Sequence, residues 1–184
     1  MNPLILVACN TYEGKRYALD FWVEACREFT YEPREIFMVD NSPHDMVFTR
    51  EIASHDIPCS WVLPARDFWD TIWLGYEKIV ERAERLGAEF ICSIEADVIC
   101  PPYTLDCLLA HWKPDNVVAH GVPWRFGADG DCWSLGCCLA ETSRVRRAVD
   151  YPKQAMEHTL FDQPVISLSG LLAIKHLYDP AEGR

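Results

Sequence analysis

Short unbroken apolar runs alternate with stretches in which apolar residues recur every three or four positions, and polar turn residues separate the two kinds through the first hundred positions. Residues 4–9 are apolar throughout, which predicts a strand buried on both faces as in a parallel sheet, ending at Asn10-Thr11-Tyr12-Glu13-Gly14. Ala18, Phe21, Trp22, Ala25, Cys26 and Phe29 then follow helical spacing up to Glu32-Pro33. Strands are predicted over residues 35–39, 59–63, 90–94 and 116–122. Between them the pattern predicts a helix near 46–54, a long helix with the stripe Ile72, Tyr76, Ile79, Val80, Ala83 closed by Gly87, and a short helix opened by Pro102.

Beyond residue 122 the rhythm breaks. Residues 123–131 read as a Gly, Asp and aromatic loop, 133–140 as a strand and 142–149 as a helix. Periodicity is weak over 151–170, apart from a strand-like run at 164–168, and a last short strand is expected over 171–175 before His176. The alternation predicts an α/β chain built on βαβ units, whose ligands belong in the loops after the strand C-termini. Asn10-Thr11-Tyr12, Asp40-Asn41, Arg66 and Glu95-Ala96-Asp97 all fall there.

Composition narrows the classes. A chain of 184 residues suits one domain, and no run approaches the ~20 apolar residues of a membrane span, so a soluble, cytoplasmic protein without a membrane span is expected. The formal charge of −11 repels polyphosphate backbones, and Arg144-Arg146-Arg147 suit a helix face, so nucleic acid is not an expected partner. Nine cysteines without a CxxC spacing, several inside apolar strands, read as small core hydrophobes rather than a zinc site or a disulfide framework. No Cys–His pair stands out as a nucleophile and its base.

The chemistry concentrates where the apolar run 90–94 meets Glu95-Ala96-Asp97 and the double proline at 101–102. Two residues apart on a strand, Glu95 and Asp97 would face one side about 6.6 Å apart along the chain, close enough to share a hard cation. A solvated turn is the plain alternative.

The ordered series of a first strand into Asn10-Thr11-Tyr12-Glu13, a second into Val39-Asp40-Asn41-Ser42, and Ser93-Ile94-Glu95-Ala96-Asp97-Val98-Ile99 before the prolines resembles the GT-A glycosyltransferases. The likeness is to the large inverting group that uses nucleotide-sugar donors. It implies a single Rossmann-like domain with a mixed, mostly parallel sheet flanked by helices, nucleotide-binding over about 1–100 and acceptor-facing over about 101–184. It also implies a metal-dependent transfer of a sugar from a nucleoside diphosphate donor to a hydroxyl on a glycan, lipid or protein.

Carried over, Thr11, Tyr12 and Asp40 would hold base and ribose, although Asp40 could equally turn the chain and Tyr12 could simply pack. Asn10, Glu13, Asn41, Arg66, Glu95 and Ala96 would complete the donor site. Asp97, with Glu95 where the family usually has Asp and His176 near the end, would hold Mn2+ or Mg2+. The general base would be Asp162 or Glu157, without the family's adjacent acidic pair. Trp124, Arg125, Trp133 and Gly136 would bracket the acceptor. Two rivals remain open: a sugar-phosphate nucleotidyltransferase, and a GT-A domain that only binds a nucleotide sugar or a protein.

Overall fold

The computed structural model describes residues 2–44, 46–65, 68–114, 116–120, 123–125, 131–133, 136–150, 165–167 and 173–177. In chain order the elements are β1 (Ile5–Thr11), a 3-10 helix (Glu13–Ala18), α1 (Leu19–Arg27), β2 (Arg34–Asp40), α2 (Val47–Ser54), β3 (Cys59–Trp61) and α3 (Phe68–Leu86). There follow β4 (Phe90–Ile94), β5 (Val98–Ile99), α4 (Thr104–His111), β6 (Val117–His120), β7 (Pro123–Arg125), β8 (Asp131–Trp133), β9 (Cys137–Glu141), α5 (Thr142–Asp150), β10 (Val165–Ser167) and β11 (Lys175–His176).

Seven strands form the main sheet in the order β10-β6-β9-β4-β1-β2-β3. Neighbours pair in parallel except where β9 runs against β4 and β6. The fold is therefore an α/β domain with a mixed, mostly parallel sheet flanked by helices.

Why β1 sits at the centre is written in its side chains. Alternate residues of a strand face opposite ways, and here both ways are apolar. Ile5, Val7 and Cys9 join a core with Trp22 and Val23 of α1, Phe48 and Ile52 of α2, and Leu105 and Leu108 of α4. Leu6 and Ala8 join a second core with Tyr76, Ile79, Val80 and Ala83 of α3 and Val145 and Ala148 of α5. Three layers result, with helices on both faces.

The long helix stops as its sequence predicts. Gly87 takes a φ of +69°, and the Gly87 and Ala88 amides donate to the carbonyls of Glu84 and Ala83, a double closure that only a left-handed residue allows at little cost.

Three expectations need correction. The strand expected over 133–140 is divided: Asp131–Trp133 pairs with Pro123–Arg125 as a separate hairpin, while Cys137–Glu141 enters the main sheet. Phe21 lies off the buried stripe and is 57% exposed, because positions 18, 22, 25, 26 and 29 already fill the face that meets the sheet. Arg144, Arg146 and Arg147 share no face, since Arg144 is buried while Arg146 reaches Glu84 of α3. No helix among the described residues is long and apolar enough to cross a membrane.

Candidate functional site

Strand order dictates where a ligand can lie. From β1 the chain moves to β2 and β3 on one side, and β4 is added on the other, so β1 and β4 diverge at their C-terminal ends and leave a crevice between their loops. A cavity of about 600 Å³ opens there, lined by Asn10, Thr11 and Tyr12 after β1, Lys15 of the 3-10 helix, Asn41 after β2, Pro64, Thr71, Ile72 and Tyr76 around α3, and Ser93 through Asp97 after β4.

Two strand ends are bolted together behind it. The Asn41 amide donates to the Thr11 carbonyl at 2.7 Å. Asp40, fully buried, accepts from the Ser42 amide at 2.8 Å, the Ser42 hydroxyl at 2.5 Å and the Thr49 hydroxyl at 2.6 Å. Ser42 Oγ in turn accepts from the Glu13 amide at 2.8 Å, tying the loop after β1 to the turn after β2. Asp40 and Glu13 therefore stand outside the cavity, and the turn-forming alternative is the one this geometry favours for Asp40.

Asn41, the next residue, faces the cavity instead. Its Nδ2, together with Thr11 Oγ1 and Asn10 Oδ1, has no hydrogen-bond partner among the described residues although all three atoms are buried. Buried polar atoms are rarely left unpaired, so a donor and acceptors grouped in one cavity wall mark a place for a polar ligand edge.

Asn10 is held by its Nδ2, which donates to the Ile72 carbonyl at 3.2 Å, and this approach requires the glycine opposite: a Cβ on Gly75 would stand 2.2 Å from Nδ2. Gly75→Ala should therefore push the Asn10 amide into the cavity. The melting temperature is expected to hold or rise slightly, because alanine favours a helix over glycine by about 1 kcal/mol. Affinity for nucleoside diphosphates should fall about tenfold by calorimetry.

Glu95-Ala96-Asp97 is not a continuation of β4. The Val98 amide donates to the Glu95 carbonyl at 3.0 Å, which closes a turn, so Glu95 and Asp97 reach the same cavity from a turn and not from one side of a strand. The turn is pinned by the Glu95 amide on the Gly136 carbonyl and by the Leu177 amide on the Asp97 carbonyl. The second bond belongs to the β5–β11 pairing, which sets His176 opposite Val98.

Charge is shared closely here. Lys15 Nζ lies 2.6 Å from Asp97 Oδ2. Partial burial pulls the Lys15 ammonium down, but the hydrogen bond and charge of Asp97 outweigh it and raise it above its ordinary value. Glu95 is exposed to the solvent of the cavity yet has protein on most sides; that desolvation, then the Asp97 charge, raises its carboxyl, while Lys15 partly offsets them. In the cavity lining, the Tyr76 hydroxyl and Ser93 Oγ are 2.7 Å apart.

Among the described residues no three His, Cys, Asp or Glu side chains gather into a metal-binding group. The oxygen donors of Asp97 and Glu95 suit a hard divalent ion that takes its other ligands from a diphosphate and water, but Asp97 is engaged by Lys15.

Of the other sequence candidates, Arg66, Glu157 and Asp162 lie outside the described residues. Trp124 and Arg125 pair with Cys132 and Asp131 in the β7–β8 hairpin, which also carries Trp133; their side chains lie outside what is described. Cys9, Cys92, Cys137 and Cys138 are buried free thiols; burial raises Cys9 and Cys138, which suits packing and not nucleophilic attack. Sequence reading missed Lys15, Thr71, Tyr76 and Ser93; the lysine's place in the turn after the first strand was the available signal.

No protein-family model matches the chain, and no curated protein matches its sequence. Solved structures do match. A 4-diphosphocytidyl-2C-methyl-D-erythritol synthase superposes with a TM-score of 0.66 at 15% identity, over 99% of this chain and 95% of that one. The mannosyltransferase PcManGT of Pyrobaculum calidifontis, in complex with GDP-Man and Mn2+, gives 0.64 at 16% identity, over 93% of this chain and 56% of that one. Staphylococcus aureus TarS, residues 1–349 in complex with UDP, gives 0.56 at 12% identity, over 90% and 58%. The fold is thus the one shared by GT-A glycosyltransferases and cytidylyltransferases.

Proposed function

We propose that this chain is a transferase that holds a nucleoside diphosphate sugar in the cavity between β1 and β4 and passes the sugar, with inversion, to a hydroxyl acceptor. The observation that supports this most is the unpaired set Asn10 Oδ1, Thr11 Oγ1 and Asn41 Nδ2, in the wall of the same cavity that the carboxylates of Glu95 and Asp97 line. A nucleobase or ribose edge offers the complementary donors and acceptors, and the diphosphate would then reach toward Asp97 and Lys15.

In this reading Asp97 and Glu95 would hold Mn2+ or Mg2+, and His176, opposite Val98 but not gathered with them in the free protein, would join only by moving toward the ion. Such an ion neutralises charge that grows on the leaving diphosphate. Tyr12, whose ring lies close over Gly14, offers a flat apolar face at the cavity rim. Asp162, with Glu157 as the alternative, is proposed as the general base, and Trp124, Arg125, Trp133 and Gly136 as the acceptor side. Such an enzyme fits a protein of the cytoplasm.

A second reading is favoured by Lys15. A cation in the loop after the first strand could meet a triphosphate, so the chain could instead join a nucleotide to a sugar phosphate with loss of pyrophosphate. The loop is a 3-10 helix rather than a glycine-rich cradle, which favours the first reading.

The leaving group separates the two. Incubated with Mn2+ and a panel of nucleotide sugars, the protein should release nucleoside diphosphate, even if only slowly to water; with nucleoside triphosphates and sugar phosphates it should release no pyrophosphate. Phosphorus NMR reads both. Pyrophosphate release would transfer the assignment to nucleotidyl transfer, and binding without either product would leave a nucleotide-sugar binding domain.

A further inference from the structure

Lys15 and Asp97 lie 82 positions apart and meet at 2.6 Å inside the candidate site, each side chain only partly exposed. The pair occupies the carboxylate a divalent ion would need. It also ties up the ammonium that a diphosphate would need, so neither partner of the proposed donor complex finds its site free.

We propose that Lys15 is a two-position cation: it neutralises Asp97 in the free protein and moves to the phosphate oxygens when a nucleoside diphosphate binds, releasing Asp97 for a divalent ion. Metal and nucleotide then bind as a coupled pair rather than independently. The inference rests on the donor-site reading above.

Three observations carry it. The ammonium sits at the end of a flexible four-carbon stem on the short Glu13–Ala18 helix, so it can change partner without moving β1 or β4. Lys15, Asp97 and the unpaired wall residues Thr11 and Asn41 all line one cavity, so a ligand held by the wall lies within reach of the pair. Without Lys15 the cavity would present two carboxylates, Glu95 and Asp97, to an incoming polyanion; with it one charge is cancelled. Coupling of this kind is reciprocal, so the factor by which diphosphate tightens the metal must equal the factor by which metal tightens diphosphate.

The test is a Mn2+ titration followed by the electron paramagnetic resonance of free Mn2+, with and without saturating UDP, GDP or CDP. For the parent protein, Mn2+ alone should bind weakly, and at least one diphosphate should tighten it more than tenfold. Lys15→Gln should act in opposite directions. Mn2+ alone should bind about fivefold tighter, since a partly exposed ion pair no longer has to be broken, while the enhancement by diphosphate should shrink severalfold. Asp97→Asn should abolish both phases, and circular dichroism of each variant should match the parent.

If Lys15→Gln binds Mn2+ alone no better than the parent, or keeps the full enhancement, the two-position role is overturned while the donor site stands. If no diphosphate binds the parent with or without Mn2+, the donor site falls and this inference with it.

Discussion

Asp97→Asn should lower donor turnover by a hundredfold or more while leaving the melting temperature within about 4 °C of the parent. The size follows from the proposed role: charge stabilisation of a leaving diphosphate contributes several kcal/mol, and each 1.36 kcal/mol is a factor of ten. The intact fold follows from the geometry. What secures the turn is the Asp97 carbonyl, which accepts from Leu177, and asparagine keeps it. Among the described residues the side chain's ion-pair partner is Lys15, in a partly exposed pair of the kind worth at most about 1 kcal/mol. Nucleoside diphosphate release from the donor in the presence of Mn2+ is the measurement, with the parent treated with EDTA as the comparison. Equal turnover of variant and parent, or full parent activity under chelation, would remove Asp97 and the metal from the chemistry together.

The architecture was legible because it is written in burial. Residues 4–9 are apolar at every position and residues 90–94 at all but Ser93, which suits strands covered on both faces, and these became the adjacent central strands β1 and β4. The switch point followed, and with it the place of the cavity that forms the candidate site. Less legible was which residue of each turn faces the ligand. Successive side chains of an extended chain point opposite ways, so Asp40 and Asn41 share one motif yet meet different surroundings: the first the Ser42 and Thr49 hydroxyls, the second the cavity.

The Glu95–Asp97 pair was found for a partly mistaken reason. Its spacing suited one face of a strand, whereas the two residues lie in a turn closed by the Val98 amide and line one cavity from there. The place of Lys15 in the turn after the first strand was its one signal in the sequence, and nothing local marks its partner, which is 82 residues away. The division of residues 131–141 was hidden for a similar reason. Cys137–Glu141 pairs with β4 and β6 while Trp133, read in sequence as part of the same 133–140 run, pairs with Pro123, and both choices depend on distant segments.

Asp40→Ala is expected to be the most destabilising single change around the site. The carboxylate is fully buried and takes hydrogen bonds from three donors, the Ser42 amide, the Ser42 hydroxyl and the Thr49 hydroxyl. Removing it leaves all three without an acceptor where water has no access, and a hydrogen bond to a charged group contributes about 1.5–3 kcal/mol. Because the three share one acceptor they do not add fully, and a net loss of about 3–5 kcal/mol is expected. For a chain of this length that lowers the melting temperature by about 10 °C or more. Asp40→Asn keeps one acceptor oxygen and should lose roughly half as much. Asn41→Ala should do the reverse, melting near the parent and losing affinity for nucleoside diphosphate, because its Nδ2 has no partner among the described residues to abandon. Thermal melts paired with calorimetry at a temperature where each variant is folded separate the two roles. Were Asp40→Ala to melt like the parent and fail to bind diphosphate, Asp40 would be a ligand-contacting residue after all, and the hydrogen bonds it receives in the free protein would have to open when the donor arrives.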